Sequence, residues 1–500
     1  MSVTQFTYAF AKDKGLIVLT GRPVLTIGVR AGASALALIE ARRALGRSCQ
    51  LEAMDRAAFE RELTLAFSQS PMGETDVEAV MASRGGLESL IEDIPEAADL
   101  LGGADDAPVI RLINGLIHEA VKRRASDIHV DPFEDKLSIR YRIDGDLVEV
   151  LTPPRKLAAP LVSRIKVMAR LDIAERRLPQ DGRISLQAGG RSIDVRVAIL
   201  PTRFGERVAL RLLDTQNALL TLEQLGMDAD TYQRFDQVLQ QPNGVILVTG
   251  PVGSGKTTTL YSSISRLNTG NVNIMTLEDP VEYGLAGISQ TQMDAKVGLT
   301  FARALRNILR QDFNIVMVGE IRDLETAEAA FEFASTGRLA FSTLHTNSAA
   351  GAVTRLRDMG VETYMMASTL RAVMAQRLVR RLCEVCKTPI AATPAHYHAL
   401  DIAHGPEGAL PEATFYEPVG CMACGHSGFL GRIAIYELLI VDPAIRALLH
   451  ANAAEDEIDQ AAFAHHHRLI ENARRLVFAG ETSIAEVLRV CRKEARDGGL

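Results

Sequence analysis

The 500-residue chain contains no run of about 18 uncharged apolar residues, so no helix is expected to cross a membrane. Its first residues, MSVTQFTYAFAKDKG, lack the charged-then-apolar layout of a signal peptide. A cytosolic protein is therefore expected, where disulfides are disfavoured and clustered cysteines point to metal or redox chemistry. There is no surplus of positive charge: the net charge is −7, whereas a dedicated nucleic-acid binder is usually basic. Internal repeats and low-complexity tracts are absent, and the lack of tryptophan carries no functional reading. What is present, 47% hydrophobic and 23% charged residues, is the composition of an ordinary globular protein. A chain of this length exceeds one hydrophobic core and implies about three or four domains.

The stretch Gly250-Pro251-Val252-Gly253-Ser254-Gly255-Lys256-Thr257 fits G-x-x-x-x-G-K-[ST] at every required position. Before it, Val245–Val248 is a continuous apolar run suited to a buried parallel strand; after it, Thr257–Ile264 reads as a helix. In that setting glycines let successive backbone N–H groups converge on phosphate oxygens, and the helix N-terminus adds positive potential. Lys256 would reach the β- and γ-phosphates, and the Thr257 hydroxyl, with Thr258 beside it, would meet Mg²⁺. A glycine-rich turn that binds nothing is the alternative, and the strand–loop–helix context argues against it. The chain is expected to bind ATP or GTP.

Upstream, residues 1–68 alternate strand-like runs (Leu16–Leu19, Val24–Val29) with a helical stretch near Ser34–Leu45, which suits a small α/β module. Residues 69–107 are acidic and rich in breakers and read as a tether. Residues 108–222 begin with a helical apolar pattern at Val109, Leu112, Ile113 and Leu116. A strand pair turning at Asp144-Gly145, a helix over Lys156–Leu171 and a second strand pair turning at Gly189-Gly190 follow. Within this α+β segment, residues 140–215 carry 15 Lys and Arg against 9 Asp and Glu, the reverse of the whole chain. One reading is a solvated basic face. The other is that Arg196, Arg207 and Arg211, borne on strands, meet a γ-phosphate, for which a rigidly held guanidinium fork is suited.

From 223 to 382 the strands Asn273–Leu277, Ile315–Val318 and Leu339–Leu344 alternate with helical segments, the pattern of an open parallel sheet of the P-loop class. Ligands of such sheets sit beyond the carboxyl ends of the strands. Three polar clusters fall there: Glu278-Asp279-Pro280, Gly319–Asp323 and Thr343–Thr346. A carboxylate so placed can orient water or hold the ion's hydration shell. Glu320 is the first candidate and Glu278 the second, a surface carboxylate or helix cap being the alternative for either. His345 could sense the γ-phosphate or be a satisfied core histidine. The C-terminal third reads as helical, beginning with Arg371–Leu382. It is interrupted at 383–432 by Cys383-x-x-Cys386 and Cys421-x-x-Cys424, with 34 residues between the pairs. Two such pairs suit a tetrahedral thiolate zinc site of structural type at the base of a long finger, with a redox pair or unrelated buried thiols as alternatives. The remaining segment, 433–500, reads as helical. His465-His466-His467 is excluded as a metal site because neighbouring helical residues diverge by about 100°. Cys49 and Cys491 are read as inert thiols.

With these motifs in order the chain resembles the secretion ATPase superfamily, most closely the type II secretion system assembly ATPases, over roughly residues 105–490. The likeness is carried by ASDIHV (125–130), RYRIDGDL (140–147), ARLDIAERRLPQDGRIS (169–185), GERVALRLLD (205–214) and the phosphate loop. LEDPVE (277–282), MVGEIRD (317–323), STLHTNSA (342–349) and AQRLVRRLC (375–383) complete it. The resemblance implies an α/β RecA-like P-loop ATPase domain preceded by an α+β, PAS-like domain, with a small N-terminal module and a helical C-terminal region carrying a zinc finger. It implies an Mg²⁺-dependent ATPase in which Glu320 and Glu278 are catalytic acids, Lys256 serves the phosphates and His345 lies in a histidine element. Arg196, Arg207 and Arg211 then occupy the motifs whose arginines reach the nucleotide, and Cys383, Cys386, Cys421 and Cys424 hold Zn²⁺. It also implies a homo-hexameric motor driving pseudopilus assembly and export of folded proteins across the outer membrane. Such a motor docks through residues 1–68 on the cytoplasmic domain of an inner-membrane platform protein, so that membrane contact is indirect and no nucleic acid is involved. A type IV pilus assembly ATPase is the alternative, and the short front module favours secretion. Two departures from the family pattern, Asn314 in place of an aspartate and Arg338 in place of a histidine, bear on Mg²⁺ coordination and phosphate sensing.

Overall fold

The computed structural model describes residues 14–62 with short breaks, Leu87, Ile91, 107–188, 191–214, 220–294, 297–308, 310–402 and 413–491. The segment read as a tether and the Gly189-Gly190 turn lie mostly outside the described residues. The chain divides into two compact units, Met1–Gln216 and Asn217–Leu500.

In the first unit the N-terminal module is a three-stranded sheet, β1 (Leu16–Leu19), β2 (Thr26–Arg30) and β3 (Gln50–Met54), with β1–β2 antiparallel and β2–β3 parallel. Helix Ala35–Leu45 crosses between the parallel pair and buries Ala37 and Ala41 with Leu16 and Ile27. It leaves Leu36 and Ile39 exposed at 78% and 64%. These two residues lie one helical turn apart and so share a face that the module does not cover.

The second part of this unit is a six-stranded antiparallel sheet built from β4 (Ala125–Pro132), β5 (Leu137–Ile143), β6 (Asp146–Leu151), β7 (Gln180–Ala188), β8 (Arg191–Thr202) and β9 (Gly205–Asp214). Its order is β6-β5-β4-β9-β8-β7. The expected hairpin at Asp144-Gly145 pairs Ile143 with Asp146. One face is apolar: Ile128, Val130, Tyr141, Val195, Val197, Val208 and Leu210 pack with Leu112, Ile113 and Ile117 of helix Ala107–Lys122 and Leu161 and Ile165 of helix Ala158–Met168. Tyr141 donates to the Leu116 carbonyl at 2.7 Å, tying sheet to helix. Because strand residues alternate between faces, the opposite face carries the polar set.

The second unit is organised on a seven-stranded sheet comprising β10 (Gly244–Thr249), β11 (Ile274–Glu278), β12 (Ser289–Gln292), β13 (Ile315–Val318), β14 (Leu339–Leu344), β15 (Leu370–Leu382) and β18 (Phe429–Ile440). Its order is β12-β11-β13-β14-β10-β15-β18. All pairs are parallel except β15–β18. Val245 and Leu247 face one core, while Ile246 and Val248 face another, which explains the unbroken apolar run.

The expectation of a helix at Arg371–Leu382 is overturned, because these residues form β15 and pair with both β10 and β18. Their composition (Ala, Met, Gln, Arg, Leu) favours a helix locally. Burial on both sides of the sheet supersedes that preference. The C-terminal third is therefore only partly helical, since the two longest strands of the sheet belong to it. The hairpin β16 (Thr388–Ala391) with β17 (Thr414–Glu417) and helix Pro394–Ala399 form the finger between the cysteine pairs.

Candidate nucleotide site

β10 delivers the chain into the glycine loop, and helix Lys256–Leu267 opens with Lys256, Thr257 and Thr258. Gly250, Gly253 and Gly255 adopt φ of 145°, 81° and 89°, where L side chains are strained. Gly250 is also a point of close approach: a Cβ there would lie 2.4 Å from the Gln376 carbonyl oxygen. Pro251, Val252 and Gly253 form the exposed apex, while Ser254 turns inward. Lys256 is 9% exposed. Its Nζ donates to the carbonyls of Gly250 and Pro251 at 2.8 and 3.1 Å and lies 3.4 Å from His345 Nδ1. Burial lowers the ammonium pKa to about 8, with the Glu320 charge opposing and Arg377 reinforcing.

Glu320 follows β13 and is fixed by bonds between neighbouring strand exits. Ser342 Oγ donates to the Val318 carbonyl at 2.7 Å, Thr343 Oγ1 to the Gly319 carbonyl at 2.8 Å, and the Ile321 N–H to the Thr343 carbonyl at 3.0 Å. The Glu320 carboxylate accepts from Arg322 and stands 3.5 Å from His345 Nε2. Burial, then the Lys256 charge, holds the His345 pKa below its ordinary value against the pull of Glu320. The imidazole is thus neutral near pH 7, with Nδ1 facing the lysine and Nε2–H facing the carboxylate. The Thr346 N–H donates to Thr249 Oγ1 at 2.9 Å, which fixes the histidine loop to the end of β10. Lys256, His345 and Glu320 therefore form one row across the carboxyl ends of β10, β14 and β13, where ligands of open parallel sheets bind.

Glu278 is placed differently. It is 3% exposed at the end of β11, and both carboxylate oxygens are taken by the fold itself. Tyr261 donates its hydroxyl to one; Thr276 Oγ1 and Gln290 Nε2 reach the other at 2.5 and 3.2 Å. That arrangement ties both oxygens to neighbouring side chains of the same unit. Asp323, in the same cluster as Glu320, caps helix Leu324–Ser335 through Thr326 N–H.

The two departures from the family pattern fall at the opposite edge of the sheet. Asn314 immediately precedes β13, and its Oδ1 accepts from the Asn273 N–H at 2.9 Å. Arg338 immediately precedes β14; it donates to the Phe313 carbonyl at 3.3 Å and stacks 4.7 Å from the Phe313 ring. Both sit at the amino ends of strands, a strand's length from the phosphate loop of the same chain.

In the first unit, Arg196 on β8 is the direct cross-strand partner of Arg211 on β9, and Arg211 of Asp127 on β4. Arg207 lies four residues from Arg211 on the same strand face. Arg211 Nε donates to Asp127 Oδ1 at 3.1 Å, and Arg207 Nε reaches Asp131 Oδ1 at 2.8 Å. Arg207 also approaches His129 Nδ1 at 3.3 Å. Asp127, His129 and Asp131, at alternate positions of β4, were not singled out as site residues. Period-two alternation across ASDIHVDP was the signal that could have found them. Gln376 was missed because its segment reads as helix.

The sulfurs of Cys383, Cys386, Cys421 and Cys424 all lie within 4.8 Å of one another. The spacings Cys383–Cys421, Cys386–Cys424 and Cys421–Cys424 are 3.9, 3.8 and 3.8 Å. A tetrahedron with Zn–S of about 2.3 Å has edges of about 3.8 Å, so the donor set fits zinc. Burial opposes ionisation of Cys424, but the N–H groups of Cys421 and Gly428, each 3.2 Å from its sulfur, hold the thiol down to about 6. Four thiolates would complete zinc's coordination, the donor set of a structural site. His465–His467 lie in the loop between helices Glu455–Ala462 and Leu469–Phe478, not on a helix as expected. Among the described residues the four cysteines are the one metal-capable cluster.

The family model described as "Type II/IV secretion system protein" matches residues 103–489, and a second model, for a domain of "GSPII protein E", matches residues 5–67. The chain is 46% identical to a type II secretion system protein E of Aeromonas hydrophila, over 99% of this chain and 97% of that one. It is 48% identical to one of Pseudomonas aeruginosa, over 97% and 96%. It is also 48% identical to the type II secretion system ATPase E of Vibrio cholerae, over 91% and 90%. Among solved structures it is similar to the pilus retraction motor PilT with bound ADP, at 26% identity and TM-score 0.50 over 75% of this chain and 96% of that one. The Legionella pneumophila ATPase DotB, at 20% identity and TM-score 0.57 over 82% and 99%, shares the fold.

Proposed function

The chain belongs to the type II/IV secretion system protein family, in its type II secretion E-protein branch, and from that membership we propose that it is an ATP-hydrolysing motor of type II secretion. The observation that carries the reading is the row Lys256–His345–Glu320 across three parallel strand ends, beside a loop whose glycines hold their backbone open to phosphate. Lys256 neutralises the β- and γ-phosphates, Thr257 is the residue that would hold Mg²⁺, and Glu320 takes the proton of the attacking water while His345 keeps its carboxylate oriented. Bound Mg²⁺ supplies charge neutralisation between the phosphates. Arg196, Arg207 and Arg211 hold the γ-phosphate, exchanging Asp127 and Asp131 for it. Six copies form a ring, and the arginine contact, made with ATP and lost with ADP, alternates between two domain arrangements.

That displacement drives pseudopilin addition and so export of folded proteins across the outer membrane. The ring acts at the cytoplasmic face of the inner membrane, where the N-terminal module docks on the cytoplasmic domain of a platform protein; the uncovered Leu36–Ile39 face supports such docking. Full-length protein assayed for phosphate release, alone and after sizing with a candidate platform domain, tests the reading. Turnover is expected with Mg-ATP, rising on assembly, and Lys256→Ala should lower it by about 10³-fold. Unchanged turnover in that variant would sink the assignment of the site.

A further inference from the structure

β15 runs beside the phosphate loop, and its register against β10, with Ala375 opposite Thr249, sets Gln376 next to Gly250. The Gln376 side chain is 2% exposed and makes two bonds to different parts of the nucleotide loop. Its Nε2 donates to the Ser254 carbonyl at 2.8 Å, and its Oε1 accepts from Thr259 Oγ1 at 2.7 Å. Thr259 is wholly buried in the first turn of helix Lys256–Leu267. The amide therefore bridges the end of the loop and the start of the helix. The Ser254 carbonyl and the Gly255 N–H belong to one planar peptide and point in opposite directions. A bond that draws the carbonyl inward turns the N–H outward, toward the concavity of the loop. Gly255 leaves the amide room to do so: a Cβ there would lie 2.8 Å from Gln376 Nε2.

The next residue, Arg377, points to the other face of the strand and donates to the Asn347 carbonyl at 2.9 Å, in the loop that follows His345. Two consecutive residues of β15 thus hold the two walls of the site, one through a neutral amide and one through a cation.

We propose that Gln376 is a positioning residue of the nucleotide site: it fixes the Ser254–Gly255 peptide so that the Gly255 N–H is presented to phosphate, and it touches no ligand itself. The inference rests on the nucleotide-binding reading above. Loop N–H groups contact phosphates that ATP and ADP share, so the consequence falls on binding of both and not on the chemical step.

The test uses the full chain with Mg²⁺ and fluorescent ATP and ADP analogues, together with steady-state turnover. Gln376→Leu keeps the bulk and removes both bonds; it is expected to weaken ATP and ADP about tenfold alike, raise KM in parallel and leave kcat at saturation within about twofold. Thr259→Val, which removes one of the two bonds, should fall between, and Thr259→Ser should match the parent. If Gln376→Leu does not fold, the Thr259 pair carries the test by the same criterion. Equal affinity in parent and variants, or a loss of kcat with ADP binding intact, overturns the proposal. A parent chain that binds neither Mg-ATP nor Mg-ADP sinks the nucleotide reading itself, an outcome separate from the variants.

Discussion

The two cationic sets proposed for the phosphates are held in opposite ways. Lys256 is 9% exposed and rests on backbone carbonyls and a neutral imidazole. Arg207 and Arg211 have side chains 42% and 57% exposed and rest on carboxylates. Partners of the first kind carry no net charge, so an arriving anion displaces only neutral acceptors from Lys256, and salt reaches the contact poorly. Partners of the second kind are themselves anions, so phosphate must displace Asp127 and Asp131, and the exchange is open to solvent and to screening. On the proposed reading, one unit offers a standing cradle and the other a contact that is made and unmade. The proposed motor would use both, because displacement comes from interactions that differ between its states.

The change that most sharpens this contrast is Glu320→Gln. It removes the base but leaves the loop and its lysine, so turnover should fall by about 10³-fold while ADP affinity stays at the parent value. An equal loss of ADP affinity would mean that Glu320 holds the loop together and is no base. Arg211→Ala comes next. It should lower turnover by about 10²-fold, weaken ATP more than ADP, and remove most of the dependence of ATP affinity on salt between low and physiological strength. If salt dependence survives unchanged in that variant, the exchange between carboxylate and phosphate is not what the ionic strength acts on.

The cradle was legible in the sequence because its parts are contiguous: one stretch of eight residues encodes a strand exit, a turn and a helix start, and the position of Glu320 at a strand's carboxyl end marked it before the resemblance implied its role. The bonds of Thr249, Thr346 and Thr343 that set the distances were not legible, since each reaches another strand about 25 to 100 residues away. Glu278 shows the same limit from the other side. Its motif marks it as an acid at a strand end, whereas its bonds to Tyr261, Thr276 and Gln290 follow only from three-dimensional packing. The arginines are visible as a local charge surplus, whereas their carboxylate partners emerge only from the alternation of ASDIHVDP along a strand. β15 was misread as a helix because a strand buried on both faces shows no period to set against its helix-forming residues.

The smallest expected effect separates the two cationic sets by acidity. Burial leaves the Lys256 ammonium with a pKa of about 8 in the free protein, whereas phosphate oxygens beside it favour the charged form and raise the pKa in the complex. A group whose pKa rises on binding takes up a proton when the ligand binds above the free-state value. Affinity is therefore flat below that value and falls as pH rises through about 8, by at most about tenfold per unit, until the bound-state pKa is reached. Calorimetry of Mg-ADP in buffers of different ionisation enthalpy should read an uptake of roughly half a proton near pH 8. ADP is the informative ligand, because it engages the loop without the γ-phosphate that the arginines are proposed to hold. On the arginine face, burial holds the His129 pKa below the ordinary imidazole value, so that ring is already neutral in this range. A pH series moves the cradle alone and a salt series moves the arginines alone. ADP affinity that is flat from about pH 7 to about pH 9 would mean that Lys256 is charged throughout, and the two sets would then differ in salt response only.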